Sequence, residues 1–251
     1  MPTNPAAAPS NQGFRLAAHV RACRSDDQVI LLDLLRSRYM ALGGAAADVL
    51  SNVVAGWPAG AGSPVPQGAA SVEKLAQQLV SQGLVTTGAR QPSILVDPQI
   101  TPAACSLNAL DTCPAPRAAL RRFGSCIGAA LRARLRLRYQ SLHAIACSAE
   151  LRRKRLSRSR PAADDGPRAP LLVDAVAAYE KVRPLLFTAS DQCLLDSLAL
   201  LDFLATQGFA PTWVIGVRTR PFNAHAWLQM GDTVLNDQHE HVRGYRPILT
   251  V

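Results

Sequence analysis

The stretch from residue 191 to residue 237 constrains the fold more than any other. Asp191–Thr206 (DQCLLDSLALLDFLAT) carries Leu194, Leu198, Leu201 and Leu204 at the spacing of a helical face, and Gly208 is placed to close the helix. Ser190 suits the N-cap, and Asp191 suits the positive end of the helix dipole. Thr212–Val217 (TWVIGV), Asn223–Gln229 (NAHAWLQ) and Thr233–Asn236 then read as three strands. One helix followed by three adjoining strands points to an α+β domain with helices packed on an antiparallel sheet.

The same stretch orders three reactive side chains. Cys193 comes first, His225 lies thirty-two positions later, and Asp237 twelve positions after that. A thiol, an imidazole and a carboxylate can serve as nucleophile, base and orienting group. Cys193 falls in the first turn of its helix, where unpaired N–H groups and the dipole favour the thiolate. Those N–H groups, with the Gln192 side chain, suit a developing oxyanion. His225, Trp227 and Gln229 share one strand face, and Trp227 reads as a wall of the site or as core. His239 and His241 follow Asp237, but their HxH spacing with a distant Cys is not specific, and no metal is expected. Asp196 and Asp202 read as surface residues of the helix. Cysteine on a helix, with histidine and aspartate on strands, is the layout of papain-like and transglutaminase-like enzymes.

Charge is unevenly placed. The net charge is +9, yet the segment from Arg117 to Arg160 holds thirteen Lys/Arg against Glu150 alone and contributes +12, so the remainder carries −3. Only Phe123 and Tyr139 interleave these arginines, which argues against a nucleic-acid surface. Six scattered cysteines form no CxxC pair, which indicates neither a zinc ribbon nor a thioredoxin-like site. Cys105 and Cys113, in a Pro-rich loop, are placed to bridge if oxidised. No apolar run is long enough to span a bilayer, and the N-terminus lacks the basic and apolar regions of a secretory signal. A cytoplasmic location is therefore expected.

Earlier in the chain, Phe14–Ala22, Gln28–Asp33 (QVILLD) and Arg38–Leu42 (RYMAL) read as strands. Ala45–Ala55 has helical composition, and a second helix starts at Ser71, with Val72, Leu75, Leu79 and Val80 as its apolar stripe. A strand ending in Leu32-Asp33, a turn at Arg36–Arg38, the aromatic strand Tyr39 to Leu42 and a Gly43-led helix resemble the PqqD-like family of peptide-recognition elements, over residues 14–86. The resemblance implies a winged-helix-like module that binds a leader peptide by strand addition. Main-chain bonds along Arg38, Tyr39, Met40, Ala41 and Leu42 would give affinity, and pocket walls from Leu75 and Leu79 specificity. Taken singly, Tyr39, Leu42 and Leu79 are explained more simply as core.

Residues 86–116 contain five prolines and read as a linker, which sets the second domain at 115–251. Arg117 to Arg160 lacks proline and reads as helix, its narrow apolar face formed by Leu131, Leu135, Leu142 and Ala146. Leu171–Val182 forms another helix between Pro170 and Pro184, with Val173, Val176, Ala177 and Val182 inward. The segment Pro221-Phe222-x-Ala224-His225-Ala226-Trp227, with Cys193 before it and Asn236-Asp237 after it, is similar to the lasso-peptide B proteins, the leader peptidases of lasso-peptide maturation. That likeness implies a Cys193–His225–Asp237 protease that frees a precursor peptide from its leader. It also implies a separate asparagine-synthetase-like cyclase as partner. Gln229 stands where that family commonly has an acidic residue. No GxxxxGK[ST] motif occurs, so no cofactor is expected and ATP use is assigned to the cyclase. Two other readings stay open: a non-catalytic scaffold recruiting precursor and cyclase, and a transglutaminase-type acyl transferase.

Overall fold

The computed structural model describes residues 13–59, 69–88, 93–95, 99–107, 116–159, 169–186 and 192–251. The N-terminal half runs β1 (Phe14–Leu16), β2 (Val20–Ser25), β3 (Gln28–Asp33), β4 (Arg38–Gly43), α1 (Gly44–Ser51), β5 (Val54–Ala55), α2 (Ala69–Ser81) and β6 (Val85–Thr87). The C-terminal half follows as β7 (Cys105–Ser106), α3 (Pro116–Tyr139), α4 (Leu142–Ser159), α5 (Ala169–Leu186) and α6 (Cys193–Thr206). It ends with β8 (Thr212–Thr219), β9 (Phe222–Met230), β10 (Thr233–Val234), α7 (His239–Val242) and β11 (Arg246–Thr250). The class is α+β, as the element order requires.

Strands β2, β3 and β4 form an antiparallel meander with β4 at one edge. The Leu32-Asp33 step has a local cause. Asp33 Oδ1 accepts the N–H groups of Leu35 (2.9 Å) and Arg36 (3.1 Å), and its Oδ2 takes the Arg36 guanidinium at 2.8 Å. This Asx-type turn sends the chain back into β4. Burial would raise the Asp33 carboxyl, but these bonds outweigh it and hold the group below its ordinary pKa. The reading of Phe14–Ala22 as one strand needs correction. The chain breaks at Ala17, whose N–H goes to Leu84 O, and β1 joins β5 and β6 in a separate small sheet. Helix α2 also starts two residues before Ser71.

Strand β3 is buried on both faces, which is why QVILLD is apolar without alternation. Val29 and Leu31 point into a core with Ala47, Leu50, Trp57 and Leu79. Ile30 and Leu32, with Cys23 and Leu34, point the other way and join the large C-terminal core around Ile145, Tyr179 and Leu198. The two halves thus share a hydrophobic core. His143 N–H donates to Leu34 O (3.0 Å), and Arg21 bonds Ser93 and Leu95.

The C-terminal sheet has the order β11-β8-β9-β10-β7. Its last strand overturns the domain boundary at 115. Cys105–Ser106 pairs in parallel with β10, and Leu107 N–H donates to Val234 O (2.8 Å), so the presumed linker already belongs to this sheet. Cys105 is a free thiol against Thr233, and Cys113 lies outside the described residues.

The basic segment is two helices. Ser141 breaks it, capping α4 through Oγ to the Ala144 N–H (3.3 Å). Its buried face also differs from the expected one. Leu131 and Leu135 are 57% and 47% exposed, while Cys126, Ala129 and Ala133 are buried against the core. Small side chains let α3 approach α6 closely, and leucines at that contact would hold the helices apart. Leu142 and Ala146 are buried as expected. Helix α5 continues through Pro184 to Leu186, beyond its expected end at Val182.

Candidate active site

Helix α6 begins at Cys193, with Gln192 as its N-cap residue; Ser190 and Asp191 lie outside the described residues. Its C-terminus closes as expected. Gly208 has φ +77°, its N–H bonds Ala205 O (3.1 Å), and Phe209 N–H bonds Leu204 O (3.0 Å), which makes a Schellman motif. From Asp196 to Leu204 every residue is buried. The expectation that Asp196 and Asp202 lie on the surface is therefore wrong. A helix apolar all round is enclosed, and its charges must find partners. Asp202 receives Arg136 (3.0 Å) and Arg152 (2.5 Å). Asp196 receives the Tyr179 hydroxyl (3.0 Å) and Arg183 (3.0 Å). Two cations of the basic segment thus neutralise a buried carboxylate, and Arg153 and Lys154 do the same for Glu150.

Strand β9 alternates as its sequence suggests. Ala226 and Leu228 enter the core that holds α6. Trp227, on the other face, packs with Val214, Val234 and Tyr245. The His225 ring stacks 6.0 Å from Trp227 and lies 5.3 Å from Tyr245. Opposite His225 in register is Gly216, where a Cβ would come within 2.8 Å of the Trp227 ring and 2.9 Å of Tyr245 Cβ. Only glycine lets both aromatic side chains close behind the histidine.

The triad converges. His225 Nε2 meets Asp237 Oδ2 at 2.5 Å, which leaves Nδ1 for the thiol. Burial alone would raise the Cys193 pKa. Hydrogen bonding with His225 and from the Ala226 and Leu194 N–H groups outweighs it and holds the thiol below its ordinary range. Burial would lower His225, but Asp237 and Cys193 raise it to about 9. Burial would raise Asp237, but His225 and the Gln238 N–H bring it down to about 2. These directions favour a thiolate beside an imidazolium that a carboxylate holds.

Asn236 anchors the turn that delivers Asp237. Its Oδ1 accepts the Leu228 N–H at 2.9 Å, just beyond the β9–β10 pairing. His241, whose HxH spacing carries no specific signal, belongs to the site. Its Nδ1 lies 3.0 Å from Asp237 Oδ2, and its ring 4.9 Å from that of His225. The signal was its position four residues after Asp237, one helical turn. The ligand atoms of His225, Asp237 and His241 lie within 4.8 Å of one another and form a possible metal-binding group. An ion seated there would replace the His225–Asp237 bond on which the triad depends. His239 turns away and binds Ser106 Oγ at 3.0 Å.

Residues 107–250, more than half of the chain, match the family Transglut_core3, the transglutaminase-like superfamily. The chain belongs to the transglutaminase-like superfamily. It is also 44% identical over 45 residues to the microcin J25-processing protein McjB of Escherichia coli; that match covers 18% of this chain and 22% of McjB, about a fifth of its length. No solved structure matches the chain.

Within this superfamily domain the remaining expected site residues separate. Gln192 makes no side-chain capping bond and does not line the cavity beside Cys193 and His225. Gln229 is buried, accepts the Trp227 indole N–H (3.3 Å) and donates to Thr101 O (2.7 Å) and Gly231 O (2.8 Å). A carboxylate could not donate those last two bonds, so the amide belongs to this chain's own linkage of β9 to residues 99–107. Of the expected peptide contacts, Arg38, Met40 and Ala41 are exposed, and Tyr39, Leu42 and Leu75 are half-buried. Leu79 is enclosed in the N-terminal core and offers no surface to a peptide. No helix among the described residues is long and apolar enough to cross a membrane.

Proposed function

We propose that this protein is a leader peptidase of lasso-peptide maturation, cutting a ribosomally made precursor through a thioester at Cys193. The convergence of Cys193, His225 and Asp237 carries the reading. The Cys193 thiolate attacks the carbonyl carbon at the end of the leader. The His225 imidazolium then protonates the departing amine as the C–N bond breaks. His225, now neutral, takes a proton from water, which attacks the thioester and releases the leader as a free acid. Asp237 fixes the imidazole tautomer throughout. The N–H groups in the first turn of α6 stabilise the oxyanion.

The N-terminal half is the leader-binding module. The outer edge of β4 pairs with no strand among the described residues, and Arg38, Met40 and Ala41 lie exposed along it. A leader adding there gains main-chain bonds. The partner is an asparagine-synthetase-like cyclase, to which nucleotide use belongs. The short match to the microcin J25-processing protein supports a processing role.

Purified protein and its precursor peptide, followed by mass spectrometry, test the reading. Wild type releases the leader as a free acid, and Cys193→Ala releases none while still binding fluorescent leader peptide. Continued cleavage by Cys193→Ala would refute the peptidase. A leader joined to an amine would identify a transferase, and binding without cleavage by wild type a scaffold.

A further inference from the structure

The catalytic cavity is built by both halves of the chain. Its volume is about 200 Å³, and Leu32, Ser37 and Tyr39 of the N-terminal half line it together with Cys193, Leu194 and His225. Outside the triad, its polar lining groups are the side chains of Ser37 and Tyr39 and the rest is aliphatic. Tyr39 pairs with Leu32 in register and rests edge-on against Phe222, with ring centres 5.5 Å apart and planes at 63°. Burial, with Cys193 and Cys23 nearby, pushes the Tyr39 phenol up to about 12, so this wall is uncharged at working pH.

The cavity adjoins the beginning of β4, at Ser37 and Tyr39, and the strand runs away from it toward Gly43. A peptide paired with the β4 edge therefore has one end at the cavity. The scissile bond lies at the C-terminal end of a leader, so that end meets Cys193 and the leader runs antiparallel to β4. The leader is the acyl half of the reaction, and its last side chain is the one beside Tyr39.

We infer that Tyr39, with Leu32 beneath it, determines cleavage specificity by walling the subsite for the side chain on the acyl side of the cut bond. That side chain is uncharged and of modest size. Naming it as the last leader residue rests on the peptidase reading, whereas the subsite itself requires only acylation of Cys193.

Benzyloxycarbonyl-amino-acid p-nitrophenyl esters test the subsite without the natural precursor. Sγ attacks the ester carbonyl, the S–C bond forms and the C–O bond breaks, and p-nitrophenolate leaves. The thiol proton passes through His225 to solvent, and water then releases the acid and restores the thiol. In the full chain, the valyl ester should give a faster burst than the tryptophanyl or aspartyl ester. Tyr39→Ala should raise the tryptophanyl-to-valyl ratio about tenfold, the scale of methylene-sized changes in an apolar pocket. Tyr39→Phe should keep the wild-type ratio. Iodoacetamide alkylation of Cys193, measured alongside, shows that each ratio is read on a reactive thiol. An unchanged ratio in Tyr39→Ala overturns the inference. If that variant does not fold, Tyr39→Trp decides, because it must lower the valyl burst relative to the glycyl ester. A shifted ester ratio with an uncut precursor would sink the peptidase reading alone. A cut precursor with an unmoved ratio would sink only the role of Tyr39.

Discussion

Three side chains fix the behaviour of the site with pH. The His225 pKa is raised from 6.5 to about 9, so its contribution to stability is complete below pH 6.5 and is lost as pH rises through 9. The Asp237 pKa is lowered from 3.8 to about 2, so its contribution is present above 3.8 and lost as pH falls toward 2. Catalysis should follow the same pair. Cys193 should alkylate with iodoacetamide at lower pH than an ordinary thiol of pKa 9.0, and peptide cleavage should fall as pH passes 9, when His225 no longer holds the proton for the leaving amine. His225→Ala should raise the alkylation midpoint and cut the rate at pH 7 by about tenfold or more. An alkylation profile identical in wild type and His225→Ala would refute the ion pair. At this scale the sequence is informative about chemistry and poor about neighbourhood. The order of Cys193, His225 and Asp237 survives in the linear text because reactivity belongs to residue type. The burial of Asp196 and the place of Tyr39 in the catalytic cavity do not, since each depends on segments far apart in sequence.

At the scale of elements, apolar periodicity identified most helices and the central strands, but it misjudged which face of α3 is covered. The leucine stripe looked like core because leucine usually is. The true contact is made by Cys126, Ala129 and Ala133, whose value lies in their small size. Short elements escaped for a related reason. β7 and α7 have two and four residues, too few for any period, and tertiary bonds to Asp232, Val234 and Ser106 define them. A pair of substitutions separates the two accounts of α3. Leu131→Ala should cost less than about 0.5 kcal/mol, as for an exposed position. Ala129→Leu should cost about 1–3 kcal/mol by forcing α3 away from its neighbours. Urea denaturation of both variants measures this, and a larger loss at Leu131 would restore the leucine face as core.

At the scale of the molecule, QVILLD read as one strand of a self-contained module, and its continuous apolarity was the sign that two cores meet there. Ile30, Leu32 and Leu34 are fully buried, and their side chains face the C-terminal half. Burial of such side chains contributes about 1.5–3 kcal/mol each. A module cut at residue 90 would expose that face together with Cys23. The full chain should therefore unfold in one cooperative transition by calorimetry and by circular dichroism. Residues 1–90 alone should self-associate or melt far below the full chain, and leader binding is best measured on the intact protein. The shared core also serves the site, because Leu32 packs with the C-terminal half and lines the cavity beside Cys193. Ile30→Asp places a charge in that core without touching the cavity. It should lower the melting temperature of both halves together, whereas two separate transitions in wild type would show that they are independent domains.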